Sequence, residues 1–454
     1  MNALLSLANL AADLPLQVKP RISGRVIGLR GPLVRAKLPA AAYGEVYRIE
    51  RLGLEPMLAQ VVSFSEDEVA LAPLDTPWGV GPGLRVERVQ DCLTLSLPES
   101  PLGMVIDPLG VPLSLPQSTS GAQLLLQRAP PSPLSRTAIN QTFPTGVKAI
   151  DAFCSVGYGQ RMGIFAGPGT GKSTLLGMIA RHAEADVSVI ALVGERGREV
   201  NDFIQESLGE DGLKRAVVVV ATSDESPLRR TLAPLAATAI AEHFRDQGKR
   251  VLLLVDSLTR TARALREVSL AAGEMPVRQG YTSSVYTELP RLVERAGTNQ
   301  HGSITAFYTV LTHDGEENDA LGEELRSLLD GHLVLSNRIA HEGVRPAIDL
   351  MHSVSRLTNR LRSENECRDI QAVISLIAKL TREKEMLLLG GTPDAALAAA
   401  LKIEPELLRF LGQRPQERFS TAQALQGLAM ISKRYKELLS ESAPTCHAAS
   451  YSPR

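Results

Sequence analysis

The segment AGPGTGKST, at residues 166–174, has the residue types and spacing of a phosphate-binding loop. Gly167, Gly169 and Gly171 allow the backbone to curl so that its N–H groups converge on phosphate oxygens. Lys172 can bridge the β- and γ-phosphates of a nucleotide, and the Ser173 hydroxyl can ligate Mg²⁺. A glycine-rich turn ending in Lys-Ser also arises by chance, so the motif needs a strand before it and a helix after it. The predicted nucleotide-binding residues of the loop are Ala166, Gly167, Pro168, Gly169, Thr170, Gly171, Lys172, Ser173 and Thr174.

Two carboxylates farther along the chain could complete a site for phosphate hydrolysis. Asp256 ends the apolar run VLLLVD, where it could hold the Mg²⁺ shell through water. Glu195 lies in GERGREV and could orient and activate the attacking water. Each has an ordinary alternative, because an Asp after a strand often caps a helix and GERGREV could be a surface salt-bridge cluster. Together with Lys172 they predict an ATPase that uses ATP and Mg²⁺, with Ser173 and Asp256 as metal ligands.

Strands and helices alternate around these residues. RMGIFAG before the loop is typical of a buried strand, and STLLGMIARHAEA after it is typical of an amphipathic helix. VSVIALVG, AVVVVAT and KRVLLLVD are further apolar runs, with helical segments between them. Continuous apolar strands that alternate with helices predict an α/β fold whose mostly parallel sheet is covered on both faces.

Two regions of different composition flank this core. Residues 20–90 contain short strand-like segments at even spacing, which is typical of a small β-barrel. Residues 96–144 are rich in Pro, Ser and Gln and predict an extended, loop-heavy connector. After about residue 368 the apolar spacing is helical, and the final residues are small and polar. We therefore expect a barrel domain at 1–91, a nucleotide-binding domain with the connector at 92–368, and a helical domain with a disordered tail at 369–454.

The composition argues against several classes of function. The chain has 454 residues, and its 49 basic and 50 acidic residues leave a formal net charge of −1, so nothing global points to nucleic acid as a partner. Four scattered cysteines form no metal-spaced pair, which suits a reducing cytoplasm. No apolar run is long enough to span a bilayer, and the first 16 residues lack the features of a signal peptide. Any membrane association is expected to be peripheral.

Longer motifs make the chain resemble a known family. They are GERGREV, VLLLVDSLTR, PRLVERAG, GSITAFYTVL and LLDGHLVLS. Together they resemble the rotary-type hexameric ATPases, and more narrowly the export ATPases of type III secretion systems, over residues 24 to about 430. VVVVATSDES and SLAAGE are more similar to the injectisome branch than to the flagellar branch. The resemblance implies a RecA-like P-loop core with an N-terminal β-barrel and a helical C-terminal domain.

The resemblance also implies roles for individual residues. Glu195 matches the family's catalytic carboxylate and Asp256 its metal-binding acid, while Arg196 and Arg260 match positions near the nucleotide. Arg356, in SVSRL, matches the arginine that a neighbouring subunit inserts at the γ-phosphate, where it would neutralise transition-state charge. The alternative role for Arg356 is a surface ion pair. The expected catalytic residues are Glu195, Arg356, Lys172 and Arg196.

One position departs from the family pattern at the base end of the nucleotide. Arg345 lies in VRPAID, where the family usually has an aromatic residue that stacks on adenine. A guanidinium plane can also stack on a base. We therefore expect Arg345 to bind the nucleotide.

The resemblance further implies an assembly and its partners. Because one chain carries both the catalytic carboxylate and the inserted arginine, a ring of identical subunits suffices, and a homohexamer is expected. The implied partners are stator and central-stalk proteins of the secretion apparatus, the export gate and chaperone–effector complexes, without nucleic acid. The implied location is cytoplasmic and peripheral, at the inner face of the bacterial inner membrane. There, ATP hydrolysis would release chaperones from secreted proteins and help to unfold them.

Other functions remain open alternatives. A hexameric RNA translocase would need basic and aromatic binding loops, whereas aromatic residues make up 4% of this chain. The catalytic subunit of an ion-pumping rotary ATPase would share the same core. A nucleotide-binding structural subunit of a rotary synthase would lack the catalytic carboxylate, and Glu195 argues against that function.

Overall fold

The structure is a computed structural model, and it describes residues 22–66, 68–113, 121–312, 319–388 and 392–442. The chain divides into two compact units. One consists of the residues up to Leu93 together with Ala271–Gly273, and the other consists of Thr94–Leu270 and the residues from Glu274 onward. The first 16 residues and the tail expected to be disordered lie outside the described ranges, apart from the last residues of the final helix.

Six strands in the described part of the first unit form a closed antiparallel barrel. They are β1 (Ser23–Arg30), β2 (Leu33–Lys37), β3 (Val46–Arg51), β4 (Leu54–Phe64), β5 (Val69–Pro73) and β6 (Arg85–Gln90). Their order around the barrel is β1-β2-β5-β4-β3-β6. Apolar side chains such as Tyr47 and Ile49 are buried inside, whereas the intervening Arg48 is exposed, as alternation in a half-buried strand requires. The predicted N-terminal β-barrel is confirmed.

A mostly parallel sheet forms the centre of the second unit. The strands of this unit are β7 (Thr94–Pro98), β8 (Val105–Ile106), β9 (Gly121–Leu125), β10 (Arg161–Ala166), β11 (Val187–Val193), β12 (Ala216–Ala221), β13 (Arg250–Asp256), β14 (Pro276–Arg278), β15 (Tyr281–Thr282), β16 (Gly297–Thr298), β17 (Ser303–Leu311), β18 (Gly331–Leu335) and β19 (Ile348–Ser355). The sheet order is β19-β18-β10-β17-β13-β11-β12-β8, with β19 antiparallel to β18 and the short β16 antiparallel to β17. Every residue of β11 and β12 is buried, so these strands are covered on both faces. This confirms the predicted α/β core.

Helices connect the strands and continue beyond the last of them. They are α1 (Lys148–Phe153), α2 (Lys172–His182), α3 (Gly197–Asp202), α4 (Gly209–Leu213), α5 (Pro227–Asp246), α6 (Leu258–Ala272), α7 (Ser283–Glu294), α8 (Ala320–Leu328), α9 (Asn337–His341), α10 (Thr358–Leu361), α11 (Glu364–Leu388), α12 (Ala395–Leu411) and α13 (Thr421–Ser442). A π-helical turn, Phe203–Leu208, lies between α3 and α4, and a 3₁₀ turn is formed by Pro133–Ser135. No helix among the described residues is long and apolar enough to cross a bilayer.

The proline-rich connector is more ordered than the sequence predicts. Its β8 pairs in parallel with β12 and becomes the edge strand of the main sheet, while β7 and β9 form a two-stranded antiparallel sheet. Leu95, Leu97 and Ile106 are buried. The expectation of an extended, loop-heavy connector did not include these short strands, which form because a few apolar residues are buried against the core.

The C-terminal helices share their hydrophobic core with the sheet. α11, α12 and α13 pack on one another, and α12 and α13 also contact α1. Their buried side chains, such as Leu376, Ile403 and Leu428, belong to the same apolar cluster as Ile164 of β10 and Leu175 of α2. The predicted division into three domains, with a boundary at residue 368, stays a prediction; that boundary falls inside α11.

Candidate nucleotide-binding and catalytic site

The phosphate-binding loop connects the end of β10 to the start of α2. Gly169 and Gly171 have φ angles of 76° and 93°, a left-handed backbone that glycine adopts without strain. The buried Thr170 donates from Oγ1 to the Gly167 carbonyl oxygen (2.9 Å), which fixes the curl of the loop. Ser173 and Thr174 are exposed in the first turn of α2, where unpaired N–H groups and the helix dipole favour phosphate.

Lys172 of the loop meets two carboxylates that come from the ends of separate strands. The Lys172 ammonium donates to Asp256 Oδ1 (2.5 Å) and to Glu195 Oε1 (3.1 Å). Asp256 is 2% exposed and Glu195 7% exposed. In a parallel sheet the carboxyl ends of neighbouring strands lie at one edge, which is why residues 84 positions apart come together here.

Asp256 is held by a residue that sequence reasoning missed. Thr309, on the neighbouring strand β17, donates from Oγ1 to Asp256 Oδ1 (2.7 Å). The register pairs Val255 with Tyr308, so Asp256, the last residue of β13, lies beside Thr309 of the longer strand β17. The motif GSITAFYTVL contained the signal, because a threonine near the end of an adjacent parallel strand can reach such a carboxylate.

Glu195 is held between two cations. Besides Lys172, the Arg260 guanidinium lies 2.8 Å from Glu195 Oε2 and also donates to the Gly194 carbonyl oxygen. Burial raises the pKa of Glu195, and a hydrogen bond with Glu199 raises it further, while Lys172 and Arg260 oppose this rise. Glu199 was missed; it lies in the first turn of α3, and Glu195 precedes that helix by two residues. The arrangement fixes the orientation of Glu195 and increases its proton affinity, as a general base requires.

The donor set fits Mg²⁺ bound together with a nucleotide. Within the described residues no group of three or more His, Cys, Asp or Glu side chains could hold a metal ion. Mg²⁺ commonly takes one or two carboxylates and completes its shell with substrate phosphates and water. The buried Asp256 carboxylate and the exposed Ser173 hydroxyl are donors of this kind.

Two predicted catalytic arginines lie away from this cluster. The Arg196 side chain is 82% exposed and lies 3.9 Å from Glu199. Ala166, which leads into the phosphate-binding loop, pairs with Leu335 at the last residue of β18. Arg356 lies at the other end of that strand, because the preceding Ser355 pairs with Gly331, the first residue of β18. Gly331 and Leu335 are four residues apart, so the two ends of β18 are separated by about 13 Å. Arg356 therefore does not reach the phosphate-binding loop of its own chain.

Arg345 lies next to the loop, as its predicted role requires. A Cβ atom at Gly171 would lie 3.0 Å from Arg345 Nη1.

Gln413 joins the Arg345 segment to two other parts of the chain. The Arg345 carbonyl oxygen accepts the N–H of Gln413 (2.8 Å). The buried Gln413 side chain in turn accepts Lys148 N–H and donates to the carbonyl oxygens of Gly146 and Glu417 (2.8–2.9 Å). Gln413 thus connects the Arg345 segment, the start of α1 and the turn that leads to α13, a role that no local sequence signal indicates.

We predict that Arg345 contributes to nucleotide affinity. Arg345→Ala should weaken ATP binding about 2- to 30-fold, which corresponds to a stacking contact of about 0.5–2 kcal/mol. Arg345→Tyr should preserve or tighten binding, because an aromatic ring can stack in the same place. Titration of each purified variant with ATP measures the effect, with the exposed Arg198→Ala as a control. Unchanged affinity in Arg345→Ala would show that this side chain does not contact the base.

The fold and the site together define a class of protein. A parallel sheet that carries a phosphate-binding loop after one strand, a buried acid at the end of a second and a buried glutamate after a third is the arrangement of a P-loop ATPase. The family model for the nucleotide-binding domain of the ATP synthase alpha/beta family matches residues 146–355.

Similar proteins define the family more narrowly. A flagellum-specific ATP synthase of Bacillus subtilis is 42% identical over 87% of this chain and 90% of its own length. A type 3 secretion system ATPase of Xanthomonas euvesicatoria is 44% identical over 83% of this chain and 86% of its own. The assembled ATPase EscN of the enteropathogenic E. coli type III secretion system is 40% identical, with a TM-score of 0.85 over 90% of this chain and 100% of that chain. This chain belongs to the type III secretion and flagellar export ATPases. The preference for the injectisome branch stays a prediction.

Proposed function

We propose that this ATPase couples ATP hydrolysis to protein export by releasing chaperones from secreted proteins and helping to unfold them. The observation that carries the proposal is the contact of Lys172 with Glu195 and Asp256 beside the phosphate-binding loop, in a chain whose relatives are export ATPases. Such a cluster has the groups needed to bind and hydrolyse ATP. The branch we favour is the injectisome.

In the proposed mechanism, loop residues 166–174 bind the phosphates and Glu195 acts on water. Lys172 neutralises charge on the β- and γ-phosphates; bound Mg²⁺, held by Ser173 and Asp256, would add to this neutralisation. Glu195 accepts a proton as the water oxygen bonds to the γ-phosphorus and the bond to the bridging oxygen breaks, which yields ADP and phosphate. Arg260 keeps the Glu195 carboxylate in place, and Arg196 would approach the nucleotide from its exposed position.

The proposed active unit is a homohexamer in which Arg356 acts on the nucleotide of the neighbouring subunit. Three observations support this: Arg356 lies at the sheet edge opposite its own loop, its side chain is exposed, and the EscN relative was studied as an assembled ATPase. A cyclic ring brings opposite faces of identical subunits together. Each interface would then contain one complete site.

The proposed partners are those of a secretion apparatus. EscN has been solved in complex with its central stalk EscO, and its structure has a TM-score of 0.82 to this chain. We infer for this chain a corresponding central stalk, stator proteins, the export gate and chaperone–effector complexes. Its proposed location is the cytoplasmic face of the bacterial inner membrane, and nucleic acid is not a proposed partner.

One reconstituted reaction tests the proposed function. Purified chain is mixed with a chaperone–substrate complex of a type III secretion system, and release of the chaperone is followed by native electrophoresis. ATP should cause release with wild-type protein, and Lys172→Ala should cause none. Release that needs no hydrolysis would contradict the proposal.

The second candidate, an ion-pumping rotary subunit, is favoured by the match to the ATP synthase alpha/beta family. Copurification with a membrane rotor and ATP-driven ion transport would support it instead.

A further inference from the structure

The main chain at Arg356 is held firmly while its guanidinium is exposed. The Arg356 N–H donates to the Asp330 carbonyl oxygen (3.0 Å). The preceding Ser355 is buried, and its hydroxyl donates to the Ser155 carbonyl oxygen (2.7 Å) and accepts from Gln160 Nε2 (2.9 Å). The guanidinium itself forms a hydrogen bond to the Arg326 carbonyl oxygen (3.3 Å) at the surface. A fixed main chain with an exposed guanidinium suits an arginine that must contact another subunit without first rearranging its own backbone.

Asp330 connects the main chain of Arg356 to Arg161 at the start of β10. Its Oδ2 accepts Arg161 Nε (3.0 Å) and its Oδ1 accepts Arg161 Nη2 (3.1 Å), a two-point pair. The main chains of the two residues are also joined, since Asp330 N–H donates to the Arg161 carbonyl oxygen (2.9 Å) and Arg161 N–H donates to Asp330 Oδ2 (3.0 Å). The same Asp330 offers its carbonyl oxygen to Arg356. Two-point pairs between arginine and carboxylate fix geometry as well as adding energy.

The support continues behind Arg161. Its Nη1 pairs with Glu294, and Arg136 also pairs with Glu294 (3.2 Å) and donates to the Ala296 carbonyl oxygen (2.8 Å). Most of these groups are partly buried, where ion pairs are screened less than at the surface. Residues of the PRLVERAG motif therefore hold Arg161, and Arg161 holds Asp330.

We propose that Asp330, held by Arg161, is a positioning residue that sets the reach of Arg356 into the neighbouring active site. The inference rests on the proposed action of Arg356 in the next subunit. A carboxylate that fixes the main chain of a catalytic arginine influences turnover through that arginine, without contact to nucleotide. Its loss should affect the site of the neighbouring subunit and leave the phosphate-binding loop of its own subunit intact.

Asp330→Asn tests this role because it removes the charge and half of the two-point pair while keeping the shape. Misplacement of a catalytic group by about 1 Å can cost about 100-fold in rate, so we expect kcat to fall about 10- to 100-fold. KM for ATP should stay nearly unchanged. Arg161→Lys keeps the charge but loses the two-point geometry, so it should lie between wild type and Asp330→Asn. Asp211→Asn, which removes a fully exposed partner of Lys214, is the matched control and should leave kcat unchanged.

Mixed rings show on which side of the interface the defect lies. Asp330→Asn subunits have an intact loop, and Lys172→Ala subunits have an intact Arg356 with its support. Rings that contain both variants should be more active than rings of either variant alone, because some interfaces combine the intact loop with the supported Arg356. Rings of Asp330→Asn and Arg356→Ala should show no such gain, because neither variant supplies a supported Arg356. Thermal unfolding and ATP binding of each variant, measured in parallel, identify a variant that simply misfolds; Arg161→Lys then carries the same mixing test.

The outcomes separate this inference from the proposed function. If Arg356→Ala and Lys172→Ala restore each other but Asp330→Asn gains nothing from Lys172→Ala, then Asp330 does not position Arg356. A wild-type kcat in Asp330→Asn would overturn the inference in the same way. If co-assembled Arg356→Ala and Lys172→Ala fail to restore activity, the action of Arg356 in a neighbouring subunit is itself wrong.

Discussion

Glu195→Gln should bind ATP with near wild-type affinity and hydrolyse it about 10²–10⁴-fold more slowly, the range that a general base supplies. Glutamine has the shape of glutamate and keeps part of the hydrogen bonding toward Lys172 and Arg260. It cannot accept a proton from water. Steady-state phosphate release measures turnover, and equilibrium titration with ATP measures binding. The pair of measurements separates the chemical step from recognition.

Companion variants make the Glu195 prediction specific. Lys172→Ala should weaken both binding and turnover, because it removes a direct phosphate contact. Glu342→Gln alters an exposed glutamate paired with Arg338 in α9 and should behave as wild type. Near-normal turnover in Glu195→Gln combined with a large loss in Glu199→Gln would assign the base to the neighbouring carboxylate. Near-normal turnover in both would mean that neither acts as the base.

Arg356→Ala should lower turnover by about 10³–10⁵-fold, the effect of removing an arginine that neutralises charge at the γ-phosphate. ATP binding should change little, because the contact matters most in the transition state. Because we propose that Arg356 acts across an interface, specific activity of the wild-type chain should also rise with protein concentration as subunits associate. Hydrolysis measured over a dilution series, with the oligomeric state determined at each point, checks both statements.

The strongest form of this test mixes two inactive variants. In rings assembled at random from equal amounts of Lys172→Ala and Arg356→Ala, about a quarter of the interfaces combine an intact loop with an intact arginine. Partial activity should therefore return on mixing. Mixing two preparations of the same variant is the control and should restore nothing. Full specific activity from a verified monomer would contradict the ring.

Local patterns were sufficient to predict most of the fold. The six barrel strands have alternating apolar residues, and the runs around β10 to β13 are short, continuous and rich in β-branched residues. Each formed the predicted strand, because these patterns place the apolar side chains on the buried faces of a sheet. The loop at 166–174 was recognisable because its glycines, lysine and serine are contiguous. Strands β7 to β9 were missed, since short segments with few apolar residues become strands only when a neighbouring surface covers them.

Long-range partners were beyond the reach of local patterns. Asp256 and Glu195 could be proposed because each follows an apolar run, but the contact of Thr309 with Asp256 depends on the order of the strands. The pairing of Asp330 with Arg161 joins residues 169 positions apart, and Gln413 reaches Gly146 across 267 positions. Such contacts depend on the order of the strands and on how the helices pack, and neither can be inferred from a short segment of the sequence.

The position of Gln413 has a mechanical consequence. Its hydrogen bonds of 2.8–2.9 Å join the Arg345 segment, the start of α1 and the turn before α13 through one residue. A displacement of the Arg345 segment would therefore either break its hydrogen bond with the Gln413 N–H or move Gln413 together with its contacts to the start of α1 and to the turn before α13.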